Sequence, residues 1–280
     1  MALPDNLLEG IDDLEPLPIT INNLVLKLGD DRVSAREIAS IIEYDEAIAA
    51  TLLRAANSAM FGGRIRVERI GDAVARLGID QLLSIALGTH FKRLSAPVEF
   101  YDLSQDDLWL HAAVSSLAAK EIISVRPRAG IPALAAVAAL THDIGKLIIV
   151  RHIDADVSQL LEIERDRGIT FVEAERELLG FDHAEVGAAV AEKWSFPDEV
   201  RHAIEFHHQV PVTDPSPMLD TVVLANAVAK TLGVGLGAEG MNVLMDGGCL
   251  KRLGLHYNDF GRLCSEVLTK MEGLQRLYAA

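Results

Sequence analysis

The chain has 280 residues, of which 50% are hydrophobic and only 5% aromatic, and its formal net charge is −15. This acidic balance argues against binding along a nucleic-acid backbone, which requires a basic surface. No apolar run approaches the roughly 18 uncharged residues of a membrane span, the N-terminus lacks a signal-peptide pattern, and two cysteines are too few for a disulfide framework. We therefore expect a cytoplasmic protein that does not enter a membrane.

The first third of the chain predicts a bundle of short helices. Residues 1–16 are acidic and contain proline, so we interpret them as a loosely held lead-in. Residues 17–96 are expected to form an N-terminal helical subdomain of about five short helices. A capping box at Ser34 and Glu37 begins one of these helices, and Gly78 separates two others. A strand fragment is considered only at residues 64–67.

A second group of helices is predicted in residues 97–235. Ser104, followed by two aspartates, begins a long helix that extends to about Val125. Pro132 is placed to open the next helix, which is expected to contain residues 142 and 143.

The last segment, residues 236–280, predicts a C-terminal helical extension that begins after a glycine-rich stretch. Many alanines and few aromatic residues favour closely packed helices over a β-sandwich. The fold class predicted from the whole chain is all-α.

A histidine and an aspartate, His142 and Asp143, stand side by side in an otherwise apolar stretch. Burying an ionised carboxylate there is unfavourable unless a cation offsets it. A metal ion does so, because it binds a neutral imidazole and a carboxylate together; a polar pair that simply faces water is the alternative. The other histidines at patterned helix positions are His111, His183, His207 and His208. Because these groups exceed the ligands of one tetrahedral ion, we prefer two ions bridged by Asp143.

Two neighbours of this pattern are further candidates. Asp107 precedes His111 by one helical turn and shares its face, although an acidic first turn is also explained by the helix dipole. Lys146 is expected to meet a phosphate oxygen if the site is catalytic, or else to extend to the surface. The remaining histidines have no patterned partners and are interpreted as ordinary residues: His90, His152, His202 and His256.

The order of these residues resembles the HD superfamily of metal-dependent phosphohydrolases, and its cyclic di-GMP-degrading branch in particular, whose pattern is His, His-Asp, His, His-His, Asp. The strings Leu-Glu-Pro-Leu-Pro, Ala-Asn-Ser-Ala-Met-Phe-Gly and Ile-Gly-Asp-Ala-Val-Ala-Arg-Leu-Gly resemble the opening of the HDOD domain, the HD-related output domain of bacterial signalling proteins. The resemblance covers roughly residues 12–235 and implies an HD-like helical core packed on the N-terminal subdomain. Asn226 stands where the last metal-ligand aspartate of the enzymes is expected, and the Gly-Tyr-Pro string after the His-His pair is absent.

The resemblance implies a regulatory signalling module that retains a His/Asp metal site but does not hydrolyse cyclic di-GMP. The expected cofactor is one or two divalent ions per chain, either iron, manganese or zinc, with Asn226 as a ligand or a supporting donor. The expected partner is a signalling protein, and a nucleotide or phosphate ligand is considered. The alternatives are an active metal-dependent phosphohydrolase and a di-iron sensor or oxygenase. A sequence cluster of arginines predicts a solvated face or a patch for phosphate or an acidic partner: Arg54, Arg64, Arg66, Arg69 and Arg76.

Overall fold

The computed structural model of the chain describes residues 3–28, 33–63, 65–94, 101–153, 157–237, 240, 243 and 245–279. Within these ranges the chain forms sixteen α-helices and no extended β-strand, so the all-α prediction is confirmed. The helices are α1 (Asp5–Asp13), α2 (Ile19–Leu28), α3 (Ala35–Ile42), α4 (Glu46–Ala56), α5 (Ile70–Leu77), α6 (Ile79–Leu94), α7 (Gln105–Val125), α8 (Ala135–Thr141), α9 (Gly145–His152), α10 (Val157–Arg167), α11 (Phe171–Leu179), α12 (His183–Lys193), α13 (Asp198–Phe206), α14 (Pro217–Thr231), α15 (Gly248–Arg252) and α16 (Tyr257–Ala279).

Local signals in the sequence account for many helix starts. Capping boxes form at Ser34, Ser104, Thr170 and Asp182, where each side chain accepts a hydrogen bond from the backbone three residues later. Gly78 has a φ of 77°, a conformation that side chains disfavour, and it separates α5 from α6 as predicted.

Helix α7 lies at the centre of the fold. It packs against α6, α8, α14 and α16. By length and composition, residues 106–125 could cross a membrane, but 67% of their most apolar window is buried inside the protein. This burial is that of a core helix, and it explains why α7 is apolar around most of its circumference.

The N-terminal lead-in is more ordered than we expected from its acidic composition. Residues 5–13 form α1, which packs against α9 and α12. Leu7 and Ile11 are buried because they lie one turn apart on the inner face of this helix. Lys193 of α12 donates to the backbone oxygens of Ile11 and Asp12. The expectation of a loosely held segment is therefore wrong.

The strand fragment considered near residues 64–67 is also not found, although Arg64 lies outside the described residues. The backbone nitrogen of Val67 donates to Oδ1 of Asn57 at 2.8 Å, and its carbonyl accepts from Nδ2 of Asn57 at 2.8 Å. A side-chain amide thus takes both hydrogen bonds that a strand neighbour would have made.

The helix predicted around residues 142 and 143 is divided in two. Helix α8 begins at Ala135, three residues after Pro132, and ends at Thr141; a turn leads into α9. The division coincides with a close approach, since a Cβ at Gly145 would overlap the carbonyl oxygen of His183 and lie 2.7 Å from the backbone nitrogen of Gly187. Two glycines therefore let α9 and α12 pack at backbone contact and place the turn beside the start of α12.

Candidate metal centre

Four separate parts of the chain bring their polar side chains together around Asp143. His111 comes from the middle of α7, His142 and Asp143 from the turn between α8 and α9, His183 from the first turn of α12, and His207 with His208 from the end of α13. The six side chains were all predicted as candidate ligands. They lie in one cluster, in which five are buried and His208 is half-buried.

The carboxylate of Asp143 is shared between two sets of imidazoles. Its Oδ2 atom lies 3.5 Å from Nε2 of His142 and 3.7 Å from Nε2 of His111. Its Oδ1 atom lies 3.2 Å from Nε2 of His183 and 3.7 Å from Nε2 of His207. Each oxygen thus faces a different pair of imidazoles, which is the arrangement expected of a bridging carboxylate.

Backbone carbonyls fix the orientation of three of the imidazoles. Nδ1 of His111 is 2.9 Å from the carbonyl oxygen of Val234, Nδ1 of His142 is 2.8 Å from that of Ala139, and Nδ1 of His207 is 2.6 Å from that of Ile204. A carbonyl only accepts, so each Nδ1 carries the proton, and in the neutral ring Nε2 presents a lone pair toward Asp143.

A buried carboxylate holds the fourth imidazole. Nδ1 of His183 lies 2.7 Å from Oε2 of Glu175, which also accepts from the His183 backbone nitrogen at 3.2 Å. The other Glu175 oxygen accepts from the hydroxyl of Tyr101 at 2.5 Å. The glutamate is fully buried, and these three hydrogen bonds satisfy it.

Burial and neighbouring charges shift the pKa values of the cluster in different directions. Burial lowers the pKa of His111, and it lowers those of His142 and His208 further. Burial acts in the same direction on His183, but the carboxylates of Glu175 and Asp143 outweigh it and raise that pKa to about 10. Burial alone would raise the pKa of Asp143; the nearby His142 and Lys146 hold it well below its usual range.

The donor set fits a metal ion. The ligand atoms of His111, His142 and Asp143 lie within 4.8 Å of one another, as do those of Asp143, His183, His207 and His208. The Nε2 atoms of His111, His142 and His207 are buried and have no hydrogen-bond partner among the described residues. Lone pairs that face a carboxylate without a proton between them are unfavourable unless a cation joins them. This His/Asp cluster can therefore bind a metal.

The other predicted site residues have different positions. Asp107 is exposed and its Oδ2 atom accepts from the backbone and hydroxyl of Ser104, so the capping box accounts for it and it lies outside the cluster. Lys146 is 3% exposed with Nζ 3.0 Å from Oδ2 of Asp143, so its surface alternative is wrong. Asn226 is 7% exposed on α14, and its Oδ1 has no hydrogen-bond partner among the described residues.

Three buried polar residues beside the cluster were not predicted: Tyr101, Glu175 and Lys230. Lys230 lies one turn after Asn226 on α14, and it reinforces the effect of burial in lowering the pKa of His111 and His208. The available signal for Glu175 was its place one turn after Phe171, on the buried stripe of α11, where a charged residue requires a partner. No comparable pattern marks Tyr101.

The chain is similar to several known proteins. It is 26% identical over 232 residues to an uncharacterized protein of Treponema pallidum (strain Nichols), covering 82% of this chain but only 45% of that relative. The chain thus spans less than half the length of this relative. An HDOD domain protein of unknown function from Geobacter sulfurreducens has a similar structure, with a TM-score of 0.75, 25% identity, and coverage of 96% of this chain and 94% of that one.

A candidate signal transduction protein from Marinobacter aquaeolei shares the fold, with a TM-score of 0.78, 24% identity, and coverage of 98% of this chain and 64% of that one. The family model of the HDOD domain matches residues 14–210, well over half of the chain. The helical fold, the buried histidine cluster and this match agree: the chain belongs to the HDOD domain family.

Proposed function

We propose that the protein is a regulatory signalling module whose His/Asp cluster holds one or two divalent metal ions, and that it does not hydrolyse cyclic di-GMP. The observation that carries this proposal is the shared carboxylate of Asp143, whose two oxygens face two different sets of imidazoles. One set would hold an ion through His111 and His142, and the other through the remaining histidines.

Bound iron, manganese or zinc would supply Lewis acidity, and iron would also supply redox chemistry. The protein's own contribution is to hold four imidazoles with Nε2 facing inward, to keep Asp143 ionised, and to exclude bulk water from a cluster that is almost fully buried. Such a closed site suits a structural or sensory ion that reports to a signalling partner in the cytoplasm.

The residue on α14 supports a role other than cyclic di-GMP hydrolysis. Asn226 stands at the place where the resemblance to the enzymes implies an aspartate, and an amide oxygen brings no charge to a divalent ion. The nearby Lys230 adds a buried positive charge on the same face of α14. Both features reduce the negative charge that a catalytic ion pair would need.

Metal analysis of protein purified without chelator tests the proposal. We expect about one to two ions of iron, manganese or zinc per chain, with metal-dependent protection against thermal unfolding. The variant His142→Ala should lose at least half of the metal and most of this protection. His202→Ala is the matched control, because His202 lies outside the cluster on α13. Metal near zero in the wild type, together with unchanged melting of His142→Ala, would exclude a metal-binding role.

An active phosphohydrolase is the second candidate, and Lys146 is the observation that favours it. A lysine buried 3.0 Å from the bridging carboxylate is placed to stabilise negative charge on a phosphoryl group. Phosphodiesterase and nucleotidase assays with added manganese separate the two functions. Turnover that disappears in His142→Ala would support the enzyme, whereas metal-loaded protein that is inactive on all nucleotide substrates supports the regulatory function.

A further inference from the structure

A groove in the N-terminal helical bundle lies apart from the histidine cluster. It runs between the C-terminal half of α4 and the segment that connects α4 to α5, and its volume is about 760 Å³. Its lining residues are Leu53, Arg54, Asn57, Gly63, Arg66, Val67 and Glu68. None of these residues belongs to a helix or turn that contributes to the cluster.

Side-chain hydrogen bonds hold the walls of this groove in place. Asn57 binds both backbone groups of Val67 and donates to the carbonyl of Leu53 at 2.9 Å. Arg76 of α5 crosses beneath the connecting segment and donates to the carbonyls of Ala56 at 3.1 Å and Ile65 at 2.7 Å. The groove is therefore formed before any ligand binds, which lowers the entropic cost of binding.

The groove is positively charged in a strongly acidic protein. Between residues 54 and 76 the chain has five arginines and two acidic residues, against a net charge of −15 overall. Arg54 from α4 and Arg66 from the connecting segment are both exposed in the lining, and neither forms an ion pair with an acidic residue that the structure describes. The guanidinium of Arg76 lies behind Gly63, where a Cβ would be 3.4 Å from Nη2.

These features define the chemistry of a ligand. Two guanidinium groups that have no carboxylate partner among the described residues match the geometry of phosphate oxygens. Leu53 and Val67 add an apolar wall, and the single carboxylate of Glu68 at the lining disfavours a ligand that is anionic throughout. The volume lies within the range of about 300–1,000 Å³ that is typical of small-molecule pockets. We propose that this groove binds a phosphate-bearing small molecule of nucleotide size, with the phosphates on Arg54 and Arg66.

Calorimetric titration of the full chain with ATP, GTP and inorganic pyrophosphate tests this site. The protein is first treated with chelator, so that metal in the histidine cluster cannot hold the phosphates. We expect saturable binding of at least one nucleotide, competition by pyrophosphate, and weakening as the salt concentration rises. The double variant R54Q/R66Q should bind at least about tenfold more weakly, because it removes both guanidinium charges and their hydrogen bonds to phosphate.

Arg165→Gln is the matched control, since Arg165 is an exposed arginine on α10 whose only described ion pair is with its neighbour Asp166. Circular dichroism verifies that the variants fold. Three results would overturn the proposal: no saturable binding by the wild type at millimolar nucleotide, equal binding by R54Q/R66Q and the wild type, or nucleotide binding without competition by pyrophosphate. A negative result in these titrations would not contradict the proposed metal site, because metal content is measured separately on protein that has not been treated with chelator.

Discussion

Gly145 gives the sharpest test of the packing that positions the histidine cluster. In Gly145→Ala the new methyl group would overlap the carbonyl oxygen of His183 and lie 2.7 Å from the backbone nitrogen of Gly187. Both atoms belong to the backbone of α12, so no side-chain rotation can relieve the contact. Overpacking of this kind costs about 1–3 kcal/mol, and the absence of a flexible neighbour places this site at the upper end. The higher helix propensity of alanine offsets less than about 1 kcal/mol of this cost.

We therefore expect Gly145→Ala to lower the free energy of unfolding by about 2–3 kcal/mol, and the Tm by roughly 3–5 °C for a chain of this size. Urea unfolding monitored by circular dichroism measures the first quantity. Because α12 must move, His183 moves with it, and metal content should fall in parallel. The matched control is Gly71→Ala in α5, where a Cβ would meet nothing within 4 Å. That variant should be as stable as the wild type or slightly more so. If Gly145→Ala is as stable as Gly71→Ala, the backbone contact between α9 and α12 is not as described.

Two further substitutions test the electrostatics. Glu175→Gln keeps the size of the side chain but removes the charge that holds His183, so metal affinity should fall by about 10–100-fold, as measured by competition with a chromogenic chelator. The surface variant Glu177→Gln is the control and should bind metal as tightly as the wild type. Equal metal affinity in the two variants would contradict the role assigned to Glu175. His90 is buried with its pKa lowered from 6.5 to about 4, chiefly by burial and then by Arg93. Between these pH values the unfolded chain takes up a proton that folded His90 does not, so stability falls as the pH drops through this window, by up to about 3 kcal/mol from this group. His90→Gln should show a correspondingly smaller loss in urea unfolding at pH 6.5 and 4.5, and equal losses in both proteins would contradict this assignment.

The sequence predicted helices where local chemistry decides them. The capping boxes at Ser34, Thr170 and Asp182 and the glycine at residue 78 act within one turn of the chain, and each marks a helix end in the structure. Buried α1 was misread because its acidic composition outweighed the spacing of Leu7 and Ile11.

The histidines of the cluster were predicted from the adjacent His142 and Asp143 in an apolar stretch, from patterned helix positions, and from the resemblance to the HD superfamily. The residues that hold these histidines in place were not predicted, because they are brought together by tertiary contacts between distant parts of the chain. Tyr101 donates a hydrogen bond to Glu175, which lies 74 positions further along the sequence. The side chain of Asn57 makes both hydrogen bonds to the Val67 backbone that a neighbouring strand would otherwise make. The break before Gly145 likewise depends on α12, which lies some forty residues further along the chain. Local propensity carries no information about such contacts.

The histidines of the cluster differ in how sensitive their orientation is to mutation of nearby residues, because different groups hold their imidazoles. His111, His142 and His207 are aimed by main-chain oxygens, which remain in place whatever side chains surround them. His183 is aimed by a side chain, and a single codon change at position 175 can release it. Evolutionary drift around this centre would therefore leave three of its imidazoles aligned, and any tuning or silencing of the site within the family would be easiest through the glutamate on α11.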